Sequence, residues 1–529
     1  MIQDTRARRA SVAARTALLA GALLALGLVA TASRATATAT ATATPTPTPT
    51  PTPEIGAGIE TTLPLRMQVG RFGEVQVFRP SGTPTAVTLL ISGEEGWDPT
   101  LRALAASLVG HGTVVVGVDG ERYVATLNQA RGGCQYLAGE FEELSHAVQQ
   151  RLGLDGYLLP VLAGRGDGAT LAALVLEQSP KGTYAGLLSI AFRPGLALRV
   201  APCGSNGLAW RPRESAAPTA RGGAPAAAPA DISQVGIELL PRADRSTPWV
   251  MLHEAADTRF ALADAQHYAR ASGATELVRL DGGGTDRAAL GAAWLAAQQA
   301  LAARGSTRIP TPAALRGLPL HEVPAEPRTA ADDAFAVLLT GDGGWAGLDQ
   351  DVSAALARDG IPVVALNSLK YFWKRRDPDL AAQDLQRIVA RYGEAWRRHG
   401  VLLIGYSFGA DVLPFLYRRL PEPTRASVRS VTLLAPSTHA DFEFHLSDWL
   451  PGPSGPGAAT RPEIERMGAA RVLCLHPSEE GESPCDGARL PGLATLSLDG
   501  GHHFNGDYAG LAARILEFAR KIPGAAPRH

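Results

Sequence analysis

A serine between two glycines is the first candidate for chemistry in this chain. Ser407 lies in Gly405-Tyr406-Ser407-Phe408-Gly409, which follows the apolar run 401–404 and precedes a helix-like segment. In a G-x-S-x-G turn between a strand and a helix, small flanking residues let the two elements approach and expose the serine hydroxyl. The motif alone is weak, because glycine and serine are common in turns. Its position between a strand and a helix favours a nucleophilic serine.

A nucleophilic serine needs a base, and two adjacent histidines near the C-terminus supply candidates. Gly500-Gly501-His502-His503 follows the last predicted strand, where this type of fold carries the base. We prefer His502, which directly follows the glycine pair, and keep His503 as the alternative.

The base in turn needs a carboxylate to orient it and to stabilise the imidazolium. Glu480 is preferred because it follows the predicted strand 472–475 and aligns with Asp257 of the first half of the chain. The competing carboxylates in the same segment are Glu479, Glu482 and Asp486.

Two backbone N–H groups are predicted to form an oxyanion hole, those of Gly343 and Phe408. Gly343 lies in the turn Gly341-Asp342-Gly343-Gly344-Trp345, and Phe408 follows the candidate nucleophile. A carboxylate beside an oxyanion hole opposes the reaction unless it binds a cation of the substrate. We therefore assign Asp342 to substrate binding.

A basic and aromatic segment follows the second predicted strand of the C-terminal half. Residues 370–376, KYFWKRR, combine three aromatic residues with four cations, a composition typical of surfaces that meet phosphate headgroups at a lipid interface. We predict that Lys370, Arg375 and Arg376 bind the substrate, with Lys374 as a further candidate. The alternative is a solvated basic loop with one packed aromatic residue.

The two halves of the chain align with each other in order. TLLISGEEGW (88–97) resembles VLLTGDGGW (337–345), and LLPVLAGRGDGATLAALVLEQ (158–178) resembles GVLLIGYSFGADVLPFLYRRL (400–420). The first half has Gly166 where the second has Ser407, and Gly284 and Thr285 where the second has the two histidines. Because both reacting groups are missing together, we infer that they work together in the second half.

Strands alternate with amphipathic helices in both halves, which predicts mostly parallel sheets covered on both faces. The expected fold is α/β, with two tandem α/β-hydrolase-like domains of which the first is degenerate. We place the degenerate, non-catalytic domain at residues 57–305, a linker at 306–330 and the catalytic domain at 331–525.

The N-terminal region indicates export. Arginines precede the apolar run 16–32 and small residues follow it, so residues 1–33 are predicted to be a signal peptide, with a membrane anchor as the alternative. Residues 34–56 alternate threonine and proline, which favours an extended linker. We therefore expect a periplasmic protein with a cleaved signal.

The chain has four cysteines, none with CxxC spacing, so no metal site is expected. In an exported protein Cys474 and Cys485 are the better candidates for a disulfide, and four reduced cysteines are the alternative. A net charge of −1 gives no electrostatic argument for nucleic acid as a partner.

Five motifs of the second half, taken in order, carry a family resemblance. GDGGW, SLKYFWKRR, GYSFGADVLP, DFEFHLSDW and GGHHFNGDY together resemble the bacterial virulence protein family of VirJ and AcvB, and the two-copy arrangement is similar to AcvB-type members. The resemblance implies a periplasmic α/β-hydrolase, without cofactor, that removes the aminoacyl group, typically lysyl, from aminoacylated phosphatidylglycerol. It also implies a link to virulence and to type IV secretion proteins as partners.

The family analogy places the nucleophile at Ser407, the base at one of the two histidines and the acid near Glu480. The substrate would then be a membrane phospholipid. Two other functions are compatible with the sequence: a general periplasmic esterase or thioesterase with the same triad, and a non-catalytic accessory protein of a secretion system.

Overall fold

The structure is a computed structural model that describes most of the chain beyond its N-terminal region. The described residues are 64–213, 235–255, 257–273, 275–281, 287–305, 313–325, 333–444, 457–468 and 471–522. The predicted export segment, the Thr/Pro-rich linker and the Gly284–Thr285 pair lie outside them. None of the described helices has the length and apolar character needed to span a bilayer.

The first copy is built on a sheet whose strands are, in chain order, β1 (Leu65–Val69), β2 (Gly73–Phe78), β3 (Ala86–Ile91), β4 (Thr113–Val118), β5 (Val161–Arg165), β6 (Gly186–Ile190), β10 (Trp249–Glu254) and β11 (Thr275–Leu280). Their order across the sheet is β1-β2-β4-β3-β5-β6-β10-β11. The pairs from β4 to β11 are parallel, and the β1–β2 and β2–β4 pairs are antiparallel. A small separate sheet holds β7 (Gly195–Leu196), β8 (Trp210–Pro212) and β9 (Ile237–Leu239).

Helices connect the parallel strands of the first copy and cover its sheet. They are α1 (Pro99–Gly110), α2 (Gly120–Leu127), α3 (Leu137–Arg151), α4 (Asp167–Gln178), α5 (Leu262–Ala271) and α6 (Arg287–Gly305). Strands β3 and β4 are buried along their whole length, as expected for a parallel sheet covered on both faces.

The second copy repeats this plan. Its sheet has the order β12-β14-β13-β15-β16-β19-β20, from β12 (Leu320–Val323), β13 (Ala334–Leu339), β14 (Val363–Leu366), β15 (Gly400–Tyr406), β16 (Val428–Leu434), β19 (Val472–Pro477) and β20 (Leu493–Leu498). All these pairs are parallel except β12 with β14. The short strands β17 (His439–Ala440) and β18 (Ala458–Ala459) pair separately.

The helices of the second copy follow the same alternation. They are α7 (Gly347–Arg358), α8 (Ser368–Tyr371), α9 (Pro378–Trp396), α10 (Phe408–Arg419), α11 (Glu422–Ser427), α12 (Thr460–Glu465) and α13 (Tyr508–Lys521). The predicted fold class is therefore confirmed: each copy is a mostly parallel sheet between helices, with the strand order of an α/β-hydrolase.

One predicted boundary is wrong. We assigned residues 306–330 to a linker, but β12, within that range, is the edge strand of the second sheet and pairs with β14. Proline-rich flanks hid this strand, which is only 4 residues long. The second copy thus begins before residue 331.

The two copies are packed directly against each other. The Gly347 N–H donates to the Lys181 carbonyl over 2.9 Å, and Lys181 also pairs with Asp351. At a second point, the Trp373 indole N–H donates to the Leu154 carbonyl over 2.9 Å. These bonds join α7 and the segment after α8 to the first copy.

Two disulfides link the four cysteines. Cys474 bonds to Cys485, the pair preferred from the sequence, and Cys134 bonds to Cys203 in the first copy. The alternative of four reduced cysteines is therefore wrong. Sequence spacing did not favour the second pair, because its members are 69 residues apart.

Candidate active site

Ser407 occupies a strained turn between β15 and α10. Its backbone has φ 50° and ψ −121°, a region that costs a non-glycine residue about 1–3 kcal/mol. Gly166 of the first copy, in the equivalent turn between β5 and α4, has φ 58° and ψ −127°. The same turn is thus present in both copies, and only the second carries a side chain there despite the strain.

Steric contacts explain the glycines on either side of the serine. A Cβ on Gly405 would lie 2.5 Å from the Gly409 carbonyl oxygen, and one on Gly409 would lie 2.2 Å from the Leu339 carbonyl oxygen. Gly164 and Gly168 meet equivalent backbone atoms in the first copy. The G-x-S-x-G spacing therefore follows from the close approach of helix and strand, as the motif requires.

The preferred triad residues lie in a continuous hydrogen-bonded chain. His502 Nε2 lies 2.8 Å from Ser407 Oγ, and His502 Nδ1 lies 2.6 Å from Glu480 Oε1. Both distances are within hydrogen-bonding range. The arrangement can transfer the serine proton to His502 while Glu480 holds the ring and stabilises its charged form.

His503, the alternative base, faces away from the serine. Its Nδ1 lies 3.3 Å from the Tyr406 hydroxyl, which also donates to the His502 carbonyl over 3.2 Å. Tyr406 therefore fixes the backbone of the histidine pair, and His502 is the histidine that reaches Ser407.

The competing carboxylates make no hydrogen bond to His502 in the part of the chain that the structure describes. Glu479, Glu482 and Asp486 follow the same strand, but only Glu480 contacts the imidazole. The residue preferred from the sequence is the one that the structure brings to the base.

Replacing Glu480 with glutamine tests this arrangement. The amide keeps the shape of the side chain but removes the charge, so kcat is expected to fall by about 10²–10⁴-fold. The control is Glu479→Gln, which changes the neighbouring carboxylate without touching His502. Steady-state ester hydrolysis by both variants gives the comparison, and a larger loss in Glu479→Gln would contradict the assignment.

Gly343, one of the two predicted oxyanion donors, already has a hydrogen-bond acceptor. Its N–H donates to the Asp342 side chain over 3.0 Å. Within the described residues, the N–H groups of Asp342 and Phe408 have no acceptor. Gly343 is thus not the unoccupied donor that the sequence suggested, whereas Phe408 remains available.

A cavity between the copies opens beside the triad. The second copy contributes residues 341–344 and 346–349, Tyr406 and both histidines to its lining, and the first copy contributes Tyr136 and residues of α3. Burial raises the pKa of Asp349 well above its usual range. Burial and the nearby Asp342 carboxylate also raise the pKa of Glu142, on α3, to about 8.

The first copy's contribution was missed at the sequence level. Gly139, Glu142, Glu143 and His146 recur at helical spacing along α3 and line this cavity. Polar residues at helical spacing among the apolar residues of α3 were the available signal. The first copy lacks the serine and histidine of the triad, so its sequence alone does not mark it as part of the site.

The aromatic residues of the basic segment are not at the surface. Tyr371, Phe372 and Trp373 are buried, and Trp373 stacks on Phe444 at the contact between the copies. Its aromatic residues therefore do not form an exposed lipid-binding surface.

The basic side chains of this segment are also outside the triad cavity. Lys370 and Arg376 line a different cavity, with residues of the first copy, and Arg376 packs over the Tyr371 ring. Lys374 pairs with Asp155, and Arg375 is exposed. Composition alone could not distinguish an interface between the copies from a membrane surface, and substrate binding by these cations stays a prediction.

In the first copy, arginines neutralise the acidic groups that correspond to those of the triad cavity. Glu94 aligns with Asp342, and its carboxylate pairs with Arg193 and Arg259. Arg259 also lies 3.7 Å from Asp257, the counterpart of Glu480. Ion pairs therefore hold the first copy's counterparts of Asp342 and Glu480.

The sequence of the second copy matches a known family. Residues 333–522 match the family described as "Bacterial virulence protein (VirJ)". This part of the chain is a VirJ domain. The resemblance seen in the five motifs is confirmed, and Ser407, His502 and Glu480 all lie within the VirJ domain.

Solved structures show limited similarity. Esterase 2 of Thermogutta terrifontis phosphoramylated by tabun is 16% identical with a TM-score of 0.31, over 47% of this chain and 98% of its own. Est1E from Butyrivibrio proteoclasticus is 13% identical with a TM-score of 0.30, over 46% of this chain and 100% of its own. No curated protein matches the chain significantly. The fold assignment for the VirJ domain rests on its sheet topology.

Proposed function

We propose that the protein is a periplasmic serine hydrolase that cleaves the aminoacyl ester of aminoacyl-phosphatidylglycerol, with lysyl-phosphatidylglycerol as the preferred substrate. The observation that carries the hydrolase part is the Ser407–His502–Glu480 chain at 2.8 and 2.6 Å. The resemblance to the VirJ and AcvB family supports the aminoacyl lipid as substrate, and the N-terminal sequence pattern supports the periplasm. Participation in virulence through secretion-system proteins belongs to the same proposal.

Acylation begins when Ser407 Oγ attacks the ester carbonyl and His502 Nε2 takes the serine proton. The Phe408 N–H, and that of Asp342, are available to bind the resulting oxyanion. The tetrahedral intermediate then collapses, and His502 returns the proton to the glycerol oxygen that leaves. The products of this step are phosphatidylglycerol and an aminoacyl ester on Ser407.

Deacylation repeats the chemistry with water. His502 takes a proton from the water that attacks the aminoacyl ester, and Ser407 leaves with that proton. The free amino acid is released and the enzyme is restored. No redox or metal step is needed to balance either half of the reaction.

The acidic cavity is compatible with an aminoacyl substrate. A negative charge near an oxyanion hole raises the barrier to acyl transfer, but an ammonium group on the acyl chain would offset it. Burial raises the pKa values of Glu142 and Asp349, which favours the uncharged form of both carboxyl groups when no cation is bound.

The test uses vesicles of phosphatidylglycerol that contain lysyl- or alanyl-phosphatidylglycerol. The purified protein is expected to release free amino acid and leave phosphatidylglycerol, both measured by mass spectrometry. Turnover of simple soluble esters without any turnover of the aminoacyl lipids would instead indicate a general esterase and contradict the proposed substrate.

A further inference from the structure

Glu142 of the first copy lies against the turn that follows β13 in the VirJ domain. A Cβ placed on Gly343 would lie 3.3 Å from Glu142 Oε1, which is closer than most such contacts. Within the described residues, Glu142 forms no ion pair with a lysine or an arginine. Its carboxylate therefore lies at the catalytic cavity without a cationic partner.

The cavity is acidic on both sides. Asp342 and Asp349 line it from the VirJ domain, and Glu142 and Glu143 line it from α3. Its described lining contains no lysine or arginine. The first copy is different at the corresponding place, because Glu94 there has two arginine partners.

Two buried polar atoms in the same lining lack hydrogen-bond partners among the described residues. They are Asp349 Oδ1 and His146 Nε2, and the two residues are only 3% and 6% exposed. Burying a polar group without a partner costs free energy. These atoms thus point to a polar ligand as the missing partner, independently of the acidic cluster.

The position of α3 is fixed by contacts at its far end. Gln150, in the last turn of α3, donates to the Phe444 carbonyl over 2.7 Å, and the Trp373 indole bonds to the Leu154 carbonyl just beyond the helix. The rings of Tyr157, in the first copy, and Trp373, in the VirJ domain, also pack together with centroids 5.4 Å apart. The VirJ domain therefore holds this wall of its own cavity in place.

We propose that α3 of the first copy completes the catalytic cavity, and that Glu142 and Asp342 together bind an ammonium group of the acyl part of the substrate. The inference rests on the proposed hydrolysis at Ser407 and deepens it. It gives the catalytically silent copy a defined role, which is substrate selection.

The protonation state of Glu142 agrees with such a site. Burial beside a second carboxylate raises the pKa of Glu142 to about 8, so the side chain is largely neutral at pH 7 in the empty cavity. An ammonium between the two carboxylates favours the ionised form of both. Cation binding would then lower this pKa and release a proton.

The test compares two esters with the same six-carbon acyl chain, L-lysine ethyl ester and ethyl hexanoate. In the full-length protein, Glu142→Gln is expected to reduce the ratio of kcat/KM for the lysine ester to kcat/KM for the hexanoate roughly 10- to 100-fold, because a charge-assisted contact is lost. The loss is expected mainly in KM. Asp342→Asn, which keeps an acceptor for the Gly343 N–H, is expected to reduce the same ratio.

Glu121→Gln is the matched control. Glu121 is an exposed residue of α2 in the same copy, so the variant makes the same change of side chain without altering the cavity, and the ratio is expected to stay at the wild-type value. Thermal unfolding of each variant shows that the proteins are folded.

The outcomes separate the two proposals. Ser407-dependent turnover of both esters with an unchanged ratio in Glu142→Gln and Asp342→Asn would overturn the ammonium site and leave the hydrolase intact. No Ser407-dependent turnover of either ester or of the aminoacyl lipids would overturn the proposed function and this inference together.

Discussion

Replacing Ser407 with glycine is expected to abolish ester hydrolysis and yet leave the protein at least as stable as the alanine variant. Both substitutions remove the nucleophile, and loss of a triad serine lowers kcat by about 10⁴–10⁶-fold. They differ in backbone strain. Ser407 has φ 50°, which alanine can adopt only at a cost, whereas Gly166 adopts the equivalent conformation in the first copy.

The free energies of unfolding of the two variants provide a second test of this prediction. We expect Ser407→Gly to be more stable than Ser407→Ala by about 1 kcal/mol, since the relief of strain exceeds the entropy cost of a glycine. Hydrolysis and denaturant unfolding of both variants provide the two measurements.

Ser430→Ala is the control for the Ser407 variants. Ser430 is a buried serine of the neighbouring strand β16, and its hydroxyl has no partner in the described residues. This variant should keep wild-type activity. Substantial hydrolysis by either Ser407 variant would contradict the assigned nucleophile.

His502→Ala is expected to reduce kcat about as strongly as loss of the serine, by roughly 10⁴–10⁶-fold. The reason is geometric: His502 Nε2 lies 2.8 Å from Ser407 Oγ, and no other described group in hydrogen-bonding range of that hydroxyl can accept its proton. The residual rate should no longer respond to Glu480→Gln, because the acid acts only through the base.

His503→Ala is the matched comparison for the base. His503 bonds to the Tyr406 hydroxyl rather than to Ser407, so its loss should change kcat by less than about 10-fold, in line with the loss of one neutral hydrogen bond. Rates for the single variants and for His502→Ala combined with Glu480→Gln decide the matter. A larger loss in His503→Ala than in His502→Ala would show that the base has been misassigned.

The parts of the fold and site that follow from local sequence could be predicted. Alternating strands and helices gave the two parallel sheets, and the strand–turn–helix context gave the position of Ser407. The internal alignment paired Gly166 with Ser407, and the structure gives both residues the same backbone conformation. Chain order then placed a histidine and a carboxylate near the serine, because parallel strands end at the same edge of a sheet.

Features that depend on packing between the copies could not be predicted in this way. The segment 370–376 has the composition of a lipid-binding surface, but its tryptophan packs against Tyr157 of the first copy. Glu142 approaches the turn of Gly343 across about 200 positions of sequence. Neither contact has a local pattern, because it is set by how two already folded units meet.

The choice of Gly343 as oxyanion donor could not be settled from the sequence for a different reason. Glycine spacing correctly marked the turn after β13, but it does not show which N–H group is already bound. Asp342 accepts from the N–H of Gly343, its own neighbour, as short acidic side chains in turns commonly do. The choice of donor depended on this single hydrogen bond.

The most direct measurement of the central claim is covalent labelling of the full-length protein with a fluorophosphonate, followed by mass spectrometry of the intact chain and of its peptides. We predict one added phosphonyl group, on Ser407, with labelling strongly slowed in His502→Ala and unaffected in Ser430→Ala. Absence of labelling in a protein that still hydrolyses ester substrates, or labelling on another serine with the same dependence on His502, would contradict a Ser407–His502–Glu480 catalytic triad.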